Sequence, residues 1–106
     1  WKNKGKEACD WFLAEGEPQP EGIICANDHM ATAVASELIH RGYRIPEDFS
    51  VIGSDNLLFS SMPQVSLTTI EHHPYIVAQS ALTTLLNRTH MPEPRNAVPF
   101  YVDSYE

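Results

Sequence analysis

The stretch from Gly22 to Asn56, GIICANDHMATAVASELIHRGYRIPEDFSVIGSDN, admits few folds. Gly22 to Ala26 is short, apolar and uncharged, and Asn27-Asp28 behind it offers side-chain oxygens suited to capping a helix. Met30, Ala31, Val34, Ala35, Leu38 and Ile39 then recur at the spacing of one helical face, with His29, Thr32, Ser36, Glu37 and Arg41 on the other. Gly42 follows as a C′ glycine and Pro46 forbids continuation. Phe49 to Gly53 is a second apolar, β-branched run. Strand, helix and strand joined in this way form a right-handed βαβ unit with parallel strands.

Parallel strands end at one edge of a sheet, and ligands of open α/β sheets bind beyond that edge. The strand ends here carry Asn27-Asp28 and Asp55-Asn56. Adjacent strands lie ~4.8 Å apart and next-but-one strands about twice that, so in either arrangement both turns can reach one small molecule. An amide beside a carboxylate suits a ligand rich in hydroxyls, and each hydroxyl donated to an ionised Asp55 contributes roughly 1.5–3 kcal/mol. The competing duty for Asp55 is to cap the turn at Asn56 to Phe59.

The segments ANDHMA, RGYRIPEDFSVIGSDN and SLTTI, with an apolar helix after the last, resemble the effector-sensing core of the lactose/galactose repressor (LacI/GalR) family over about Gly22 to Arg88. Periplasmic sugar-binding proteins share that fold, but the wording of the second segment is closer to the repressors. The resemblance implies an α/β fold with a parallel sheet flanked by helices, a partial type I periplasmic-binding-protein-like fold lacking its first half. On this reading about 1–70 belongs mainly to the C-terminal lobe, about 71–97 supplies a helix of the N-terminal lobe, and about 98–106 carries the final strand. A chain of this extent buries its core incompletely or borrows a surface from another copy.

The resemblance also assigns roles. Asp55 matches an aspartate that the family places on its effector, and His72 stands where many relatives have a glutamine at the cleft edge, so Asn27, Asp55 and His72 are the expected effector-binding residues. Ser66 to Ile70 is the segment that crosses between lobes and acts as a hinge. The helix from Met30 contributes to a dimer face. The expected partners are a small molecule, a carbohydrate by preference, a second copy of the chain, and DNA only through a domain outside it; the expected location is cytoplasmic. A solute receptor of a sugar transporter and a sensor fused to another output module are the alternatives. The ending Tyr101-Val102-Asp103-Ser104-Tyr105-Glu106 departs from the apolar pair and Arg-x-Ser usual in the family, which leaves the output module open.

The remaining composition bears on what to exclude. A net charge of −7, from 14 acidic and 7 basic residues, opposes a phosphate backbone. Lys2, Lys4 and Lys6 read as a solvated helix end, and no lysine follows them to steady a phosphoryl group as receiver domains require. No GxSxG, P-loop or Gly-rich dinucleotide turn is present, so neither catalysis nor a cofactor is expected. His72-His73 lacks a third ligand at a recognisable spacing, so no metal is expected. Cys25 lies in an apolar strand and reads as a buried small hydrophobe, and Cys9 and Cys25 form no disulfide framework.

At the flanks, Lys4 to Ala14 reads as a helix whose cluster Ala8, Trp11 and Phe12, joined by Trp1, packs on the sheet beside Ile23 and Ile24. Trp11 is expected in the core, with stacking on a sugar ring as the alternative. Glu17 to Glu21 is a short link. Pro74 opens a helix whose stripe Ile76, Val77, Ala78, Ala81, Leu82, Leu85 and Leu86 should face the other lobe's sheet. Met91 to Arg95 is a loop, and Ala97 to Tyr101 or Val102 a last strand in which Pro99 suggests an edge or an interrupted ladder.

Overall fold

The computed structural model describes residues 2–16 and 18–89. The expected loop at 91–95 and the last strand fall outside them, as do Trp1 and Glu17. The chain divides into two units between Glu71 and His72. In the first, helix α1 (Lys2–Phe12) precedes strand β1 (Gly22–Ile24), helix α2 (Asp28–His40) and strand β2 (Ser50–Ser54). A 3₁₀ turn (Leu58–Ser61) and strand β3 (Thr68–Ile70) complete it. The second unit contains helix α3 (Pro74–Thr89).

The sheet has the order β1-β2-β3 and both pairings are parallel, with Ile24 opposite Ile52 and Gly53 opposite Thr69. β1 and β3 are shorter than the runs Gly22 to Ala26 and Ser66 to Ile70 suggest, whereas β2 keeps the expected length one residue further on. β3 starts late because Val65 and Ser66 both donate to the Met62 carbonyl, and Ser66 has φ 42°, which turns the chain before it can pair. Helix α2 is fixed at both ends. Asn27 caps its start, and at its end Tyr43 N–H bonds the Leu38 carbonyl at 3.0 Å while Gly42 N–H bonds that of Ile39 at 3.0 Å. This paired closure needs the left-handed φ of 91° that Gly42 adopts.

The core lies between α1, α2 and one face of the sheet, and contains Cys9, Phe12, Ala31, Val34, Leu38, Phe49 and Val51. Phe49 is enclosed by Phe12 and by Tyr43, whose ring meets it edge-on at 5.1 Å. Two expectations about α1 need correction. Trp11 is 78 % exposed, because the buried face runs through Gly5, Cys9 and Phe12 and Trp11 sits about a third of a turn away from it. The helix also packs on α2 rather than beside Ile24. A β-carbon on Gly5 would lie 2.5 Å from the Ala33 carbonyl oxygen, so only glycine allows this approach. Arg41 reinforces the contact, bonding Asp10 at 2.6 Å and Glu37 at 2.8 Å. Ile24 is itself 78 % exposed. Alternation along the strands puts Ile24, Ile52 and Ile70 on the face opposite α2, and Ile24 and Ile70 are exposed there.

Both cysteines are buried thiols, and burial pushes each pKa up. Lys4 and Lys6 pair with Glu7 and Asp10 along α1. In the second unit, His73 offers its carbonyl to Ile76 and Val77 N–H and Pro74 takes the first helical position, as its sequence suggests. Ile76, Val77, Leu82, Leu85 and Leu86 of α3 are all exposed. No helix among the described residues is long and apolar enough to cross a membrane.

Candidate functional site at the carboxyl edge of the sheet

Because the strands are parallel, all three end at one edge. Asn27 lies three residues beyond Ile24 and Asp55 three beyond Ile52, and Ile24 and Ile52 are paired. The two turns are therefore immediate neighbours at the same level of the rim. Glu71, which sequence reasoning did not single out, stands at the end of β3 and extends the row.

Asn27 serves two purposes. Its Oδ1 accepts from Met30 N–H at 2.9 Å, which starts α2. The amide acceptor expected for a ligand is thus committed to the backbone, and Nδ2 remains as the group that can donate outward. Asp55 is exposed, its N–H continues the ladder to the Ile70 carbonyl at 2.9 Å, and its φ is 105°. Asn56 follows with φ 48°, its N–H 3.2 Å from Thr69 Oγ1 and its Nδ2 2.6 Å from Glu71 Oε2. His72 is exposed and belongs to the second unit, so the rim of the first brings together Asn27 and Asp55 but not His72.

The residue that organises the rim is Asp28, which the sequence suggested only as one of two possible caps. Its side chain is fully buried. Oδ2 accepts from Leu57 N–H at 2.9 Å and from the Ser60 hydroxyl at 2.5 Å, Oδ1 accepts from the Thr69 hydroxyl at 2.5 Å, and the Ser54 amide also bonds the carboxylate. Burial pushes its pKa up, but these four donors outweigh that and hold the carboxyl below the usual aspartate range. The capping duty open to Asp55 falls to Asp28, since the Leu57 side chain that precedes the 3₁₀ turn makes no cap. Room for the carboxylate comes from Gly53, where a β-carbon would meet Asp28 Oδ1 at 2.2 Å. A signal for this was present in the sequence: a glycine inside an apolar strand marks a close approach.

Away from the rim, the outer side of α2 and Phe59 enclose a groove of about 560 Å³. His29, Ser36 and His40 line it, and His29 meets Phe59 edge-on at 5.1 Å. Among the described residues no three His, Cys, Asp or Glu side chains come together as a metal site.

The model of the periplasmic binding protein-like domain matches residues 1–102. The chain belongs to this family. Within it, the chain is of the LacI/GalR effector-binding type. It is 39 % identical over 84 residues to the HTH-type transcriptional repressor PurR of Mannheimia succiniciproducens, covering 79 % of the chain and 25 % of that protein. It is 42 % identical over 82 residues to PurR of Aliivibrio fischeri, covering 76 % and 24 %. The LacI-type chain thus spans about a quarter of the length of these curated relatives. Among solved structures it resembles a LacI transcriptional regulator from a Rhodococcus species, with TM-score 0.75, 29 % identity and coverage of 82 % of this chain and 32 % of that one. A LacI family regulator from Arthrobacter sp. FB24, solved in complex with lactose, gives TM-score 0.66, 34 % identity and coverage of 78 % and 30 %.

Proposed function

We propose that this LacI-type chain forms part of one wall of an effector site in a cytoplasmic transcriptional regulator. A hydroxyl-rich small molecule, of the carbohydrate class, is held at the carboxyl edge of the sheet by the Asp55 carboxylate as acceptor and Asn27 Nδ2 as donor. The observation that carries this reading is the adjacency of the Asn27 and Asp55 turns on neighbouring parallel strands. The lactose in the Arthrobacter relative supports a carbohydrate, and the repressor relatives favour regulation over transport. No chemistry is required of the site, only different affinities for two states of the protein.

The division between Glu71 and His72, with α3 exposed along its apolar stripe, supports assigning the helix that follows Glu71 to another lobe and 66–70 to the crossing between lobes. The groove of α2 and Phe59 is then the face on which a second copy of the chain sits. DNA is contacted by a domain outside this chain, whose net charge of −7 opposes phosphate.

The test is a thermal-shift screen of sugars, nucleosides and sugar phosphates on the full-length protein, where a ligand at a hundred times its Kd adds about 2.7 kcal/mol. The hit is then titrated by calorimetry into Asp55→Asn. Asparagine tolerates the left-handed backbone at this position better than alanine, so the fold is kept while the charge is lost. Binding is expected to weaken by about tenfold or more, the equivalent of one hydrogen bond to an ionised group. An unchanged Kd would remove Asp55 from the site.

A further inference from the structure

We propose that Asp28 and Thr69 are positioning residues of the candidate site, holding the Asp55-Asn56 turn in its left-handed conformation and binding it to the end of β3. The effector turn and the segment that leads out of the sheet then shift as one body. The proposal rests on the reading of Asp55 as an effector contact and of 66–70 as the crossing between lobes, but its test uses neither.

The turn needs external restraint. Asp55 at φ 105° and Asn56 at φ 48° are consecutive non-glycine residues in a region that side chains disfavour, and such a backbone persists only where its surroundings over-determine it. Asp28 supplies that from below. It takes the Ser54 amide just before the turn and the Leu57 N–H just after it, so both ends are fixed to one buried carboxylate. Ser60 anchors the following 3₁₀ turn to the same Oδ2.

Thr69 makes the link to β3. Its single hydroxyl donates to Asp28 Oδ1 and accepts from Asn56 N–H inside the turn at 3.2 Å. A hydroxyl can do both through one atom, because it carries one donor and spare lone pairs. Asn56 Nδ2 on Glu71 Oε2 ties the turn to the same strand end a second time. A displacement of 69–71 therefore pulls on the backbone amide of Asn56, one residue from Asp55, and binding at Asp55 biases the strand end in return.

The experiment is hydrogen-exchange mass spectrometry on the ligand-free full-length protein. Thr69→Val keeps the side-chain shape but removes the hydroxyl, and is expected to speed exchange in peptides covering 54–58 by about tenfold while peptides of α1 and α2 keep wild-type protection. Thr69→Ser retains the hydroxyl and is expected to leave 54–58 protected. Asp28→Asn is expected to expose 54–58 and 67–71 together, ahead of α1. Wild-type exchange at 54–58 in Thr69→Val, equal exposure in Thr69→Ser, or a uniform loss of protection in every peptide of Thr69→Val and Asp28→Asn would each overturn the proposal. Failure of the Asp55→Asn titration, by contrast, leaves the exchange result standing.

Discussion

Asp28→Ala is expected to lower stability by about 3–4 kcal/mol, read as a shift in urea denaturation of the full-length protein. The substitution strips four donors of their acceptor at once: the Ser54 and Leu57 amides and the Ser60 and Thr69 hydroxyls. Ser60 is itself buried, so water cannot readily replace the lost bond, while the half-buried partners recover part of theirs. The same carboxylate sets a pH dependence with a definite sign. Its folded pKa is lowered from the ordinary aspartate value of 3.8, so its contribution is complete above that value and is lost as pH falls through the folded pKa. The stability gap between wild type and Asp28→Asn is therefore expected to be constant near neutrality and to close on acidification below about pH 3.8. A gap that persists unchanged into strong acid would mean that the ionised form is not what the four donors hold.

Gly53→Ala is the second large effect, expected at about 3–5 kcal/mol from overpacking together with displacement of a hydrogen-bonded charge. The added β-carbon falls 2.2 Å from Asp28 Oδ1, 3.0 Å from Leu67 Cδ2 and 3.2 Å from Ala31 Cβ. Leu67 can move, but the carboxylate cannot do so without releasing Ser54, Leu57, Ser60 and Thr69 together. A substitution of one methyl group should thus reproduce much of the Asp28→Ala phenotype, and the double variant should be less destabilised than the sum of the two, since both act through one network. Full additivity in denaturation would show that Gly53 is needed for some reason other than room for Asp28.

How much was legible in the chain differs by region. In α2 a cap at Asn27 or Asp28, the buried positions Ala31, Val34 and Leu38 and the Gly42 closure could be read from residue type and spacing, because each is local; the choice of Asn27 over Asp28 could not, and Ile39, read on the same apolar face, is 60 % exposed. Parallel pairing of β1 with β2 followed from the intervening helix. Trp11 could not be placed, since in a short amphipathic helix the choice of buried face depends on what lies opposite, and the close approach of Gly5 to Ala33 selects a face that excludes it. Ile24 was expected to be packed against α1, yet within the described residues it lies on the opposite face of the sheet and is exposed.

The candidate site divides in the same way. Asn27 and Asp55 were found because strand ends and polar turns are sequence features, and a parallel sheet brings such ends to one edge. Asp28 was seen only as an alternative cap. Its partners lie at positions 54, 57, 60 and 69, and no spacing rule joins a residue to others 26 to 41 positions away. Within the described residues the sequence by itself determined the order of elements and the direction of the strands, and it determined the family, because these depend on local periodicity and on linear motifs. Tertiary structure alone decided which oxygen each loop donor meets, and so why Gly53 is a glycine and how Thr69 comes to touch the turn that carries Asp55. Hydrogen bonds between distant segments depend on distances of a few tenths of an ångström, which exist only after the strands have paired.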